Sequence, residues 1–424
     1  MFLPYLNSES IFTNTEPLGN GSFGTVVSGT DSKTNKLRVI KEIEIIMRGG
    51  IPSLTHLKSV LREVEILNFT KHSRVVDLIS VYMKCNEESL LLEYVYLIME
   101  HCGTTLGTYV KNNRTAEKDV WLKDVVGVVV HDVACGLNYL NKCGIFHRDI
   151  KPGNVCIEKN GDIRRAKIVD FGLARRKPDN SGSITTPIST AAYRAPEHLL
   201  GPKYKNQNDI WALGCILGFV VSSKHLFANG DSILDNILKY LGKPPQVFFD
   251  RIQTELDTNP VKVDQFLFRK LKNLTIILKD SHFDHGRVIF KEFNEGLERD
   301  MARSAENLMN MMLKWDYKER ITARGILDSK FISLVRSSRP ELSKDIVDEE
   351  HCRTTSEELG VLERQVKKVV EDDSISREDK LKTVQNYLTS TITEKYGYVQ
   401  EWADHYEYHI PDGDEIPIGQ LVIE

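Results

Sequence analysis

His147-Arg148-Asp149-Ile150-Lys151-Pro152-Gly153-Asn154, followed by Asp170-Phe171-Gly172, is the stretch on which the reading of this chain turns. One short loop carries an aspartate, a lysine two residues on and an asparagine five residues on, and a second aspartate follows at 170. These residue types supply a base, a charge-neutralising cation and two oxygen donors for a hard metal ion. Either motif alone arises by chance; the two in this order and spacing form a strong signal. Upstream, Val125 to Leu140 is apolar at helical spacing and stops at Cys143-Gly144, so the loop follows directly from a helix end.

The 424 residues, 41% hydrophobic and 27% charged, have the composition of a soluble globular protein of roughly two to three domains. A net charge of −4 gives no global attraction to nucleic acid or to an anionic membrane. No run approaches the ~20 apolar residues of a membrane span, and no basic-then-apolar signal opens the chain. The seven cysteines, at 85, 102, 135, 143, 156, 215 and 352, form no C-x-x-C pair. They read as reduced thiols of an intracellular protein, nuclear and/or cytoplasmic.

Toward the N-terminus, Leu18-Gly19-Asn20-Gly21-Ser22-Phe23-Gly24-Thr25-Val26 is a glycine-rich turn that lets backbone approach phosphates, with Phe23 at its tip. A dinucleotide-binding turn has the same G-x-G-x-x-G pattern, but it opens a helix. Here the residues after Gly24 favour a second strand. Leu37-Arg38-Val39-Ile40-Lys41 is a β-favouring run ending in a lysine, and residues 54–69 carry apolar positions at helical spacing with Glu63 among them. Leu90 to Gly103 reads as a buried strand that includes Met99, Glu100 and Cys102.

Taken together, these motifs resemble the eukaryotic protein serine/threonine kinases across roughly residues 15–335. That resemblance implies an α+β, bilobal fold: a lead-in at 1–14, a small β-rich N-lobe at 15–102, a larger helical C-lobe at 103–335 and an extension at 336–424. It implies ATP and Mg2+ as cofactors and protein substrates. Asp149 takes the place of the base and Lys151 reaches the transferred phosphoryl, while Asn154 and Asp170 hold metal. Lys41 binds the nucleotide's phosphates and is oriented by Glu63. Leu18, Gly19, Asn20, Gly21, Ser22, Phe23, Gly24, Val26 and Val39 enclose the nucleotide, Met99 lies behind the adenine, and backbone groups of Glu100 and Cys102 bind it. Thr190 bonds Asp149 and Lys151. Glu197 pairs with Arg320, and Asp209 accepts backbone N–H groups of the loop.

Within that family the Tyr193-Arg194-Ala195-Pro196-Glu197 end mark resembles the CMGC group, which contains the cyclin-dependent and mitogen-activated kinases. Arg194 in this group favours a proline after the phosphorylated residue. The segment from Asp170 to Glu197 offers Thr185 as activating phosphosite and Thr186 as second choice, with Arg62, Arg148 and Arg175 to receive the phosphate. An upstream kinase or an activating subunit follows as partner. Two departures stand out. Gly50-Ile51-Pro52-Ser53 starts like a cyclin-binding helix, but the residues before Glu63 differ. The Thr-x-Tyr of the mitogen-activated branch is replaced by Thr185-Thr186-Pro187.

Beyond 335, Ser337-Ser338-Arg339-Pro340 reads as a linker. Two apolar stripes follow, Leu359 to Val370 and Leu381 to Ile392, expected to cover the large lobe. Aromatics mixed with acids near the end give no nucleic-acid signature. The rival to an active enzyme is a kinase-fold scaffold that binds partners through this extension; a small-molecule kinase is weaker still. A scaffold usually lacks one chemical group, and here Lys41, Glu63, Asp149, Lys151, Asn154 and Asp170 are all present.

Overall fold

The computed structural model describes residues 12–21, 24–48, 51–85, 92–113, 121–160, 163–176, 191–200, 206–227, 233–258, 264–277, 299–344, 361–372, 374–376, 379–384 and 386–387. Five antiparallel strands form the small lobe: β1 (Phe12–Gly21), β2 (Gly24–Asp31), β3 (Leu37–Glu44), β4 (Leu78–Cys85) and β5 (Leu92–Glu100), in the order β1-β2-β3-β5-β4. Successive side chains of a strand face opposite sides. On β5, Tyr96 and Ile98 therefore join Phe12, Val27 and Ile40 in a small outer cluster. Val95, Leu97 and Met99 enter the main core with the helix that follows β3.

That helix, α1 (Leu54–Phe69), has the bounds that its apolar spacing predicts. Past the hinge come α2 (Leu106–Asn113) and α3 (Gly127–Lys142), the latter led in by a single π-helical stretch at Leu122–Val126. Every residue of α3 from Gly127 to Leu140 is buried, which explains an apolar pattern on all sides rather than one stripe. The short helix α4 (Pro196–Leu199) and the buried α5 (Asn206–Ser222) follow, then α6 (Ile233–Leu241), α7 (Gln246–Thr258), α8 (Gln265–Ile277), α9 (Arg299–Met312), α10 (Ala323–Leu327), α11 (Lys330–Ser338) and α12 (Val361–Glu371). No helix among the described residues is long and apolar enough to cross a membrane.

Three expectations shift. The first strand begins at Phe12, inside the expected lead-in, and Phe12 is 4% exposed. Bulges after Thr13 and Pro17, with Asn14 at φ 52°, break the alternation that would have announced a strand there. The expected linker is structured: α11 runs through Ser338, and Arg339 is tied to Asp124 at 3.0 Å and to Glu341 at 2.8 Å. The extension does not merely cover the large lobe. Helix α12 packs against α1 of the small lobe.

Candidate active site

The decisive loop hangs from the two-residue strand Ile145–Phe146, which pairs antiparallel with Arg175–Arg176 beyond Asp170. That pairing brings 147–154 and 170–172 side by side. Asp209, in the first turn of buried α5, accepts the backbone N–H groups of His147 at 3.0 Å and Arg148 at 2.9 Å. These bonds hold Arg148 in a left-handed conformation at φ 71°, which costs a bulky residue about 1–3 kcal/mol. Asp170 is likewise left-handed at φ 63°.

His147 Nε2 lies 3.1 Å from the Val169 carbonyl, an acceptor only, so Nε2 carries the proton. Nδ1 then accepts the N–H of Asp149 at 3.3 Å. Burial pushes His147 down to about 4, so its ring is neutral and serves to fix the loop. A short 3-10 turn, Pro152–Asn154, then sends the chain into a hairpin of Val155–Asn160 with Ile163–Ile168, whose exit delivers Asp170. Asn154 spends both contacts of its amide nitrogen on Asp149, at 2.9 Å to the carbonyl and 2.8 Å to Oδ2. Its side-chain oxygen takes no part in those two bonds and is the atom that could serve as a cation ligand.

Lys151 Nζ also meets Asp149 Oδ2, at 2.6 Å. Burial raises the Asp149 carboxyl, with Lys151 and Asn154 opposing that rise. A carboxylate of raised proton affinity is a better proton acceptor in a transfer step. Across the cleft, Lys41 Nζ bonds Glu63 Oε1 at 2.6 Å and Asp170 Oδ1 at 2.9 Å; Lys41 and Glu63 are all but sealed from solvent, and Asp170 is partly exposed. Burial pulls Lys41 down, but the two carboxylates outweigh it and hold it above the ordinary lysine value. Burial likewise works against the charge of Asp170, and Lys41 more than reverses it. The set therefore presents a fixed cation beside an ionised carboxylate.

Asp170 and Asn154 offer only oxygen, which fits Mg2+. When bound with a nucleotide, that ion would neutralise charge on the phosphates.

At the nucleotide end, Val39 faces Met99 across the β3–β5 register and Val26 faces Lys41. Leu18 is 52% exposed at the lip, and Gly21 pairs with Gly24 at the turn. Asn20 belongs to the same strand, and Gly19 stands at φ 154°. Ser22 and Phe23 lie outside the described residues. The Glu100 carboxylate turns from the cleft to Lys167 at 2.6 Å and to the Asp77 N–H at 2.8 Å, which anchors the hinge. Cys102 is 4% exposed beside it. Gly103, at φ 84°, has no room for a side chain: a Cβ there would sit 2.1 Å from the Ile157 carbonyl oxygen.

Glu197 and Arg320 form a two-pronged pair at 2.7 and 2.6 Å, with Arg320 stacked over Trp211. Thr185, Thr186 and Thr190 lie outside the described residues. Arg62 is half-buried on α1 and Arg175 donates to the Ala174 carbonyl at 2.8 Å. His198 has no signature among its neighbours along the chain. Burial first, then the charges of Arg194 and Arg148, push it down to about 3. No motif marks that histidine; the contact exists only in three dimensions.

Both depressed histidines carry a stability consequence. Below pH 6.5 the unfolded chain takes up protons that buried His147 and His198 refuse, so stability falls as pH drops through the window from 6.5 toward 4. Lowering pH from 7 to 5 costs about 2 kcal/mol per histidine. Urea unfolding of His198→Asn should show roughly half of the wild-type pH dependence assigned to this pair. An unchanged slope would refute the assignment.

The protein kinase domain family matches residues 12–332. Mitogen-activated protein kinase 12 of Mus musculus is 28% identical over 335 residues, covering 78% of this chain and 81% of that protein. Stress-activated protein kinase JNK of Drosophila melanogaster is 28% identical over 364 residues, 82% of this chain and 90% of its own length. Mitogen-activated protein kinase HOG1 of Kluyveromyces lactis is 32% identical over 325 residues, 76% of this chain and 63% of its own.

Proposed function

We propose a proline-directed specificity and an activating phosphate on Thr185 for this chain, which belongs to the protein kinase family over residues 12–332. It is an ATP-dependent protein serine/threonine kinase similar to the mitogen-activated kinases. The observation that carries an active rather than a scaffolding reading is the joined set of Lys41, Glu63 and Asp170, all within bonding distance. In this reading Asp149 accepts the proton of a Ser or Thr hydroxyl, and Lys151 offsets charge on the transferred phosphoryl. Lys41, oriented by Glu63, holds the nucleotide's phosphates, and Asn154 and Asp170 hold Mg2+. Thr190 fixes Asp149 and Lys151.

A groove of about 670 Å³ opens beside Lys151, lined by Lys111, Pro152, Tyr193, Phe219 and His225 among others. An open groove of that size at the catalytic loop favours a polypeptide over a small metabolite as acceptor. Arg194, just before Ala195 and Pro196, supports a preference for proline after the acceptor by its place in the motif. In this reading Arg62, Arg148 and Arg175 receive the phosphate on Thr185. Two paired peptides, differing only in Ser-Pro against Ser-Ala, test the specificity. At least about tenfold higher kcat/KM for Ser-Pro is expected, and equal rates would remove the proline preference. Thr185→Ala should lower kcat toward the basal rate, with Thr186→Ala nearly neutral; full activity of Thr185→Ala would move the phosphosite elsewhere.

A further inference from the structure

Helix α5 ends in a turn that the catalytic residues do not use. Ser223 stands left-handed at φ 57°, a conformation that favours glycine, and its N–H closes the helix on the Phe219 carbonyl at 2.7 Å. The Ser222 hydroxyl braces the turn, donating to the Gly218 carbonyl at 2.7 Å and accepting the Lys224 N–H at 3.2 Å. Leu226 fills the space that Gly218 leaves: a Cβ on that glycine would sit 2.6 Å from Leu226 Cδ1. The reversal lays His225 flat on Phe219, with ring centroids 5.1 Å apart and planes 17° from parallel. Nδ1 of His225 lies 2.7 Å from the Tyr193 hydroxyl, which has no other partner among the described residues. Tyr193 is buried, so its O–H donates to Nδ1; an O–H left unmade there would be costly. Nε2 of His225 then carries the ring proton, on a side chain that is exposed.

His225, Phe219 and Tyr193 all line the groove of about 670 Å³ beside Lys151, and α2 adds Val110 and Lys111 to it. Lys111 is exposed in the last turn of α2 and makes no ion pair among the described residues. Lys151 is already held by Asp149 at 2.6 Å, so the groove's uncommitted charge is that of Lys111. No acidic side chain and no arginine lines the groove. Buried Phe219 and Val110, with an N–H and an ammonium beside them, suit a short side chain that ends in a negative group. A phosphate dianion is best met by an arginine fork, which the lining lacks, whereas a carboxylate needs only the two donors present. We propose that His225 and Lys111 are specificity-determining residues that take an aspartate or glutamate of the protein substrate, a few residues before the acceptor hydroxyl. The inference rests on the kinase reading above, in which Arg194 serves the residue after the acceptor and the groove is left to those before it.

Peptides with a fixed Ser-Pro acceptor carry aspartate, phosphoserine, alanine or lysine at each position before it in turn, and kcat/KM is measured with the full-length protein. Aspartate at one position should exceed alanine by about three- to fivefold, carried by KM, the size of an exposed charge pair. Lys111→Glu should turn the order over, so that lysine exceeds aspartate at that position. His225→Ala should at least halve the aspartate-to-alanine ratio, and His225→Gln, which keeps an N–H donor, should restore most of it. Each ratio is taken within one variant, so a general loss of turnover or stability cancels. The same ratio is read without catalysis, as displacement of a fluorescent peptide by versions with alanine in place of the acceptor serine. Equal values for aspartate and alanine at every position overturn the inference, as does a preference that survives both Lys111→Glu and His225→Ala. A gain for phosphoserine with none for aspartate assigns the groove to phosphate and overturns the carboxylate. A wild type that phosphorylates no peptide speaks against the kinase reading, and the displacement ratio then decides the groove by itself.

Discussion

Asp149→Asn is expected to lower kcat by about 10²–10⁴-fold, the range contributed by a positioned general base, while ATP-Mg affinity changes less than about twofold. The geometry explains the separation. Asp149 is held by Lys151 at 2.6 Å and Asn154 at 2.8 Å, on the acceptor side of the cleft. Lys41 is bonded instead to Glu63 and Asp170, the pair proposed to serve the nucleotide. The amide is isosteric and keeps the loop's shape, so the loss falls on proton acceptance alone. Its measurement is steady-state transfer beside isothermal titration with ATP-Mg. Equal loss of binding would show Asp149 to be a nucleotide ligand, and unchanged turnover would remove it from the chemistry.

The second large effect is on stability. Arg320→Met should lower unfolding free energy by about 3–5 kcal/mol, because it strands the carboxylate of Glu197 in the interior. Arg320 is 4% exposed and Glu197 2%, and the guanidinium also donates to the carbonyls of Lys314 at 2.9 Å and Gln207 at 3.2 Å. Pairing Arg320→Met with Glu197→Gln removes the stranded charge and should regain more than half of the loss. Lysine is no substitute, since it cannot make both prongs at once or stack over Trp211. Urea unfolding of the three variants decides: a loss below about 1 kcal/mol for Arg320→Met would mean the pair is not felt by the fold.

Much of this architecture was legible in the residues because short motifs fix both chemistry and local backbone. The bounds of α1 followed from apolar spacing, and the loop at 147–154 followed from residue types that only make sense together. Glu197, Arg320 and Asp209 could be paired because each sits at a fixed place in a long pattern, and the structure joins them as expected. Other features had no local signature. Phe12 lies among polar residues and bulges, so its strand carries no alternation. Arg339 finds Asp124 from more than two hundred positions away, which no neighbouring residue announces. The stripes around Val366 and Leu381 declared a buried face without saying what buries it. Periodicity records that a face is covered; identifying the covering element takes the tertiary fold. His198, whose proton affinity burial and the charges of Arg194 and Arg148 lower, is the same case for charge.

The most direct test of the central claim is transfer of label from γ-³²P-ATP with Mg2+ to a generic basic protein, followed by phosphoamino-acid analysis. Label on serine or threonine, absent with Asp149→Asn, is the result expected from the site described above. A wild-type sample that binds ATP-Mg yet transfers no more label than the variant would contradict it.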